Sequence, residues 1–185
     1  MNFIVIIDYF LILRFYNFND KFTFLLLSGY EYSKSIQYYQ KVLELDNHYI
    51  FALNNLGNSF QEIGDFENAL LNYSQIIEEK PNFFPTLFNL GNLYFKREEF
   101  KRALEYYKKA KEINPKFKDL WLNISNTYFF LKDINKAITC LEEFIRIDNQ
   151  YPSIFINLTG FLFLQKRYDD VIKYCNKARD IYQNI

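Results

Sequence analysis

Four asparagines stand thirty-four residues apart: Asn55, Asn89, Asn123 and Asn157. Three residues further along, the same interval joins Asn58, Asn92 and Asn126, with Gly160 in the fourth place. A further step of three gives Gln61, Phe95, Phe129 and Phe163. On a helix, side chains three residues apart are neighbours. A carboxamide carries donors and an acceptor together. A row of them can therefore bond both the N–H and the C=O of an extended peptide without reading its side chains. The competing reading is plainer: asparagine is common in this composition and is simply solvated. The Phe95, Phe129 and Phe163 row likewise has two readings, an apolar binding groove or packing against neighbouring helices.

Other chemistry finds little support. The five glycines, Gly29, Gly57, Gly64, Gly91 and Gly160, are isolated, so no phosphate-cradling loop is present. Cys140 and Cys175 lie far apart and match no metal spacing, and the single histidine, His48, lies in a loop between repeats. Carboxylates are scattered over helix faces. We therefore expect no catalytic residue, no metal, no cofactor and no small-molecule substrate. The 22 cations balance the 22 anions, which argues against a nucleic-acid footprint. The basic excess in 96–118 is interleaved with Glu98, Glu99, Glu105 and Glu112 and reads as a solvated outer face. Asn-x-Ser/Thr matches at Asn72, Asn123 and Asn157 fall inside predicted helices and are read as chance. Two unpaired cysteines suit a reducing compartment, taken here as the cytoplasm.

The elements that must carry these residues follow from periodicity. Leu53, Leu56, Phe60 and Ile63 recur at three- and four-residue steps and form one helical stripe. Gly64 can end that helix in a left-handed conformation. Asp65 is placed to cap a second helix over 66–79. Gly57 and Ala69 lack bulk where paired helices must approach, and Pro81 and Pro115 stop the second helix of each pair. A hairpin alone leaves one apolar face open, so stacking must stabilise the array.

In 50–83 the recurring residues are Leu53, Leu56, Gly57, Phe60, Ala69, Tyr73, Ile76 and Pro81. In 84–117 they are Leu87, Leu90, Gly91, Tyr94, Ala103, Tyr107, Ala110 and Pro115. The unit 118–151 opens with Trp121 but has Ser125 for glycine and Asn149 for proline. The unit 152–185 carries Phe155, Leu158, Thr159, Leu162, Val171, Cys175 and Ala178, and 16–49 is degenerate, with Tyr39, Val42 and Asn47. This pattern resembles the tetratricopeptide repeat family. The resemblance implies an all-α, right-handed α-solenoid of about four to five stacked helix-turn-helix hairpins, with the first helix of each hairpin on the concave side. Residues 1–15, MNFIVIIDYFLILRF, are too short an apolar run to span a bilayer and contain Asp8. They read as a degenerate packing helix, with a membrane-associated or targeting segment and an incorrect chain start as alternatives.

On the implied concave face, first helices about 8–10 Å apart match roughly three residues of an extended chain at about 3.3 Å each. The sixth-position asparagines are similar to the ladder that grips peptide backbones in the repeat region of O-GlcNAc transferase. The expected function is a scaffold or adaptor that binds an extended, neutral or weakly acidic segment of another protein. The candidate residues are Asn55, Asn58, Asn89, Asn92, Asn123, Asn126, Asn157, Phe95, Phe129 and Phe163. The alternative is the repeat portion, or a truncated relative, of a larger enzyme such as a protein O-glycosyltransferase. Repeats that clamp the acidic tails of heat-shock chaperones use Lys, Asn, Asn, Lys and Arg where this chain has Asn54, Asn58, Asn89, Asp119 and Asn123; the asparagines are present, every cation is missing and Asp119 would repel a carboxylate, so that subtype is rejected. Self-association through the C-terminal helix, which no polar capping helix follows, remains a further expectation.

Overall fold

The computed structural model describes residues 32–183. All regular elements among them are helical. The chain divides into two compact units, Met1–Pro81 and Asn82–Ile185. The segment 1–15 and the first half of the 16–49 repeat lie outside the described residues.

In the first unit, α1 (Tyr32–Leu45) packs on α2 (Ile50–Glu62), which pairs with α3 (Phe66–Glu79). Helix α1 is the second helix of the degenerate repeat. It carries Ser35 where the next three repeats carry alanine and the last carries Val171. Ser35 is fully buried, and its hydroxyl meets that of Ser59 on α2 at 2.8 Å. Gly64 takes φ +83° and Asp65 accepts from the Asn68 amide at 3.1 Å. Turn and cap thus lie where their residue types demand. One expectation needs correction: the stripe through Leu53 and Leu56 ends at half-buried Phe60, and Ile63 is 50% exposed. Ile63 is the residue after the last helical turn and points away from the pair.

The second unit comprises α4 (Phe84–Lys96), α5 (Phe100–Ile113), α6 (Lys118–Phe130), α7 (Ile134–Ile147), α8 (Pro152–Leu164) and α9 (Tyr168–Gln183). Each packs on the next, forming three stacked hairpins. The first helices also touch one another, α4 on α6 and α6 on α8. They line one side of the stack. Trp121, Tyr107, Phe144, Phe155, Leu120 and Leu141 are fully buried between the layers. Each buried aliphatic side chain of this size stabilises the stack by about 1.5–3 kcal/mol.

Among the described residues, the turn inside each of the four complete hairpins uses the same left-handed residue, although only one of these is glycine. Gly64 is matched by Glu98 (φ 62°), Lys132 (φ 65°) and Lys166 (φ 58°). The amide that follows each returns to a carbonyl five residues back: Asp65 to Phe60, Glu99 to Tyr94, Asp133 to Tyr128 and Arg167 to Leu162, at 2.9 to 3.0 Å. These bonds satisfy helix-end carbonyls and outweigh the roughly 1–2 kcal/mol that a left-handed conformation costs a residue with a Cβ. Between repeats, Lys80 and Asn114 precede prolines and adopt φ −133° with ψ near 80°. Proline's ring excludes helical backbone from the residue before it.

Candidate peptide-binding face

The recurring asparagines all stand on first helices, and all are half-buried. In the first unit, Asn58 Oδ1 accepts the Tyr73 hydroxyl at 2.5 Å, and Gln61 lies 3.4 Å from the same hydroxyl. Asn55 hydrogen-bonds Tyr39, the tyrosine of the preceding repeat, and this partly offsets the rise that burial gives the Tyr39 phenol. Tyr73 is wholly buried, and burial holds its phenol well above the ordinary range, so it stays a neutral donor.

In the second unit, Asn92 Oδ1 accepts from the Tyr107 hydroxyl at 2.8 Å and from Asn123 Nδ2 at 2.8 Å. The second bond crosses from α4 to α6 and ties two repeats together through their side-chain amides. Burial raises the Tyr107 phenol, and a hydrogen bond with Asn123 partly offsets the rise. Asn157 Nδ2 donates to the Ser153 carbonyl of its own helix at 2.9 Å. Asn126 is half-buried on α6.

Geometry behind the Tyr107–Asn92 bond is set by glycine. A Cβ on Gly91 would sit 2.3 Å from both Cδ1 and Cε1 of Tyr107, and one on Gly57 would sit 2.5 Å from Cε1 of Tyr73. The ring fills the space a side chain would take. Gly57 and Ala69 were expected to lack bulk where paired helices approach; Gly57 receives the Tyr73 ring, and Ala69 is wholly buried.

The phenylalanine row is divided. Phe95 is half-buried and packs on Phe100 at 5.5 Å and Phe130 at 5.4 Å. Phe129 stacks on Phe161 of α8 at 5.5 Å. Phe163 is 59% exposed, with its ring edge-on to Tyr168. On α8, which bears no charged residue, Ile156 and Leu164 are exposed as well, and the space beside Gly160 is open. The last hairpin thus presents apolar surface beside Asn157.

Groups with catalytic potential lie apart from this face. Burial pushes the Cys140 thiol up to about 12, and its sulfur faces the Trp121 carbonyl, whereas Cys175 is exposed on α9. His48 Nδ1 is hydrogen-bonded to Glu79 at an exposed site. Among the described residues, no group of three His, Cys, Asp or Glu side chains could hold a metal ion. No helix among them is long and apolar enough to cross a membrane. The tyrosines that fix the amides were legible in the sequence only as recurring core residues; Tyr39, Tyr73 and Tyr107 share the thirty-four-residue interval with the asparagines they touch.

Comparison with known proteins agrees with this architecture. Tetratricopeptide repeat profiles match residues 84–117, 52–83 and 119–151, together more than half of the chain. No curated protein sequence matches. Among solved structures, a crystal structure of MamA is similar, with 21% identity over 83% of this chain and 90% of that one, at a TM-score of 0.72. MamA 41-end from Desulfovibrio magneticus RS-1 has 13% identity over 88% and 92%, at 0.73. The structure of pilF from Pseudomonas aeruginosa has 18% identity over 80% of this chain and 69% of that one, at 0.70. At such identities the likeness is one of fold. Repeat interval, hairpin stacking, glycine–tyrosine contacts and profile matches agree, and the chain belongs to the tetratricopeptide repeat family.

Proposed function

We propose that this protein is an interaction scaffold that holds an extended, neutral or weakly acidic segment of another protein along its first helices. The observation that carries the reading is the placement of Asn89, Asn92, Asn123, Asn126 and Asn157 on α4, α6 and α8, all half-buried on helices that touch one another. Half-burial suits the task. A fully exposed amide gains little by exchanging water for a guest, and a fully buried one cannot reach it. Asn55 and Asn58 carry the same chemistry within the first unit. Phe163, with Ile156, gives apolar side chains of the guest a place to rest, while Phe95 and Phe129 support the face from within. Two unpaired cysteines, one deeply buried, suit a reducing compartment such as the cytoplasm.

A displayed library of random peptides tests this directly. The native protein should enrich binders, and the double substitution Asn89→Ala, Asn123→Ala should weaken the best of them by roughly tenfold or more, since each lost hydrogen bond counts for about 0.5–1.5 kcal/mol. Melting temperature should stay within a few degrees. Selection of no peptide by the native protein would defeat the proposal.

A further inference from the structure

Tyr107, Asn92 and Asn123 form a polar chain across two hairpins, and its polarity is determined by the phenol. The Tyr107 hydroxyl is buried and must donate its proton somewhere; it donates to Asn92 Oδ1 at 2.8 Å. That bond turns the Asn92 oxygen toward α5. Asn123 Nδ2 donates to the same oxygen at 2.8 Å, so both acceptor sites of that oxygen are filled. Asn92 is left with its N–H groups alone, as a donor. Asn123 keeps its oxygen, as an acceptor. A flip of Asn92 alone would set its Nδ2 against both the phenol proton and Asn123 Nδ2, and is excluded for that reason.

We infer that Tyr107 is a positioning residue that fixes Asn92 as donor and Asn123 as acceptor, so that the pair reads the backbone of one guest residue in one chain direction. This rests on the peptide-holding role proposed above. In an extended strand the N–H and C=O of one residue project to the same side. Asn92 on α4 receives the C=O and Asn123 on α6 receives the N–H. Because N–H precedes C=O along a chain, the guest runs from the α6 side toward the α4 side, against the order of the repeats. The Tyr73–Asn58 bond repeats the phenol contact in the first unit, whereas in the two later hairpins Leu141 and Cys175 stand at the tyrosine position and Gly160 has no amide at all.

The test uses the tightest peptide selected by the native protein, remade with a single N-methyl group at each position in turn. One position should show a loss of about tenfold, the magnitude expected for one buried hydrogen bond. That loss should vanish in Asn123→Ala, which removes the acceptor and leaves Tyr107 and Asn92 in place. In Tyr107→Phe, which keeps the ring against Gly91, the loss should shrink to about threefold or less as the amides become free to flip. A spin label on the peptide N-terminus should broaden Asn157 side-chain signals, and one on the C-terminus should broaden those of Asn89. An N-methyl loss unchanged in either variant, or labels in the opposite order, would overturn the inference while leaving the scaffold reading intact. Failure of the native protein to select any peptide would remove both.

Discussion

The hairpins α2–α3 and α4–α5 solve the contact between paired helices one way, and α6–α7 and α8–α9 solve it another. The first two place glycine, at Gly57 and Gly91, opposite a fully buried tyrosine ring. The other two carry buried Ser125 and Thr159 at the glycine position, and at the tyrosine position buried Leu141 and exposed Cys175. The exchange is reciprocal: a large ring requires the absence of a Cβ, and a shorter side chain permits one. Glycine inside a helix costs about 0.5–1 kcal/mol relative to alanine. The ring that replaces its side chain offsets this cost and also brings a hydroxyl to the inner face. Packing and recognition are therefore coupled in the glycine–tyrosine hairpins. In the later pair no tyrosine at that position brings a hydroxyl, and Phe163 and Ile156 are exposed on α8.

Three experiments bear on this contrast. Trp121→Ala strikes the support of the later pair. Trp121 is 1% exposed, donates Nε1–H to the Pro115 carbonyl at 2.8 Å and packs on Phe144. A loss of about 3–5 kcal/mol is expected in urea unfolding, as for other buried aromatic truncations. Because repeat stability is a sum of local terms, hydrogen exchange should accelerate first in 118–183. Uniform acceleration across 32–183 would argue that the hairpins do not differ.

Gly91→Ser imports the later solution into the earlier hairpin and should cost about 1–3 kcal/mol through overpacking against Tyr107. Adding Tyr107→Leu should recover most of that loss, giving a favourable coupling in a double-mutant cycle. Additive losses would break the reciprocal account. Recovery of stability should not restore peptide binding, because the hydroxyl on Asn92 is gone.

The smallest effect lies at the caps. Asp133 accepts from the Lys136 side chain and from its amide, and the two bonds hold its carboxyl below the usual carboxylate range. A depressed value means that stability is present above the unfolded-state pKa and is lost as pH falls through the folded one. Asp133→Asn should therefore flatten the acid limb of the stability profile below about pH 4 and leave the neutral region almost unchanged. Glu99, at the same place in α4–α5, makes no cap bond and instead pairs with Arg97 and Arg102. Glu99→Gln should respond to salt rather than to its helix end, so equal acid profiles for the two variants would remove the distinction.

Much of this was legible beforehand. Proline at 81 and 115, glycine at 64 and aspartate at 65 act through backbone conformations that depend on a residue and its immediate neighbours, so the hairpins were predictable from local chemistry. The left-handed turns at Glu98, Lys132 and Lys166 were not, because their residue types disfavour that conformation and only the returning hydrogen bonds enforce it. The asparagine row was visible as a period. That Phe95 and Phe129 pack into aromatic neighbours while Phe163 stays open was not.

By itself, then, the sequence determined the repeat, the helix ends and the identity of the polar row, because each follows from periodicity or from short-range backbone sterics. Tertiary structure alone decided which way the Asn92 amide faces. That choice depends on a phenol fifteen residues away and an amide thirty-one residues away meeting one acceptor, and no local preference of asparagine fixes its orientation.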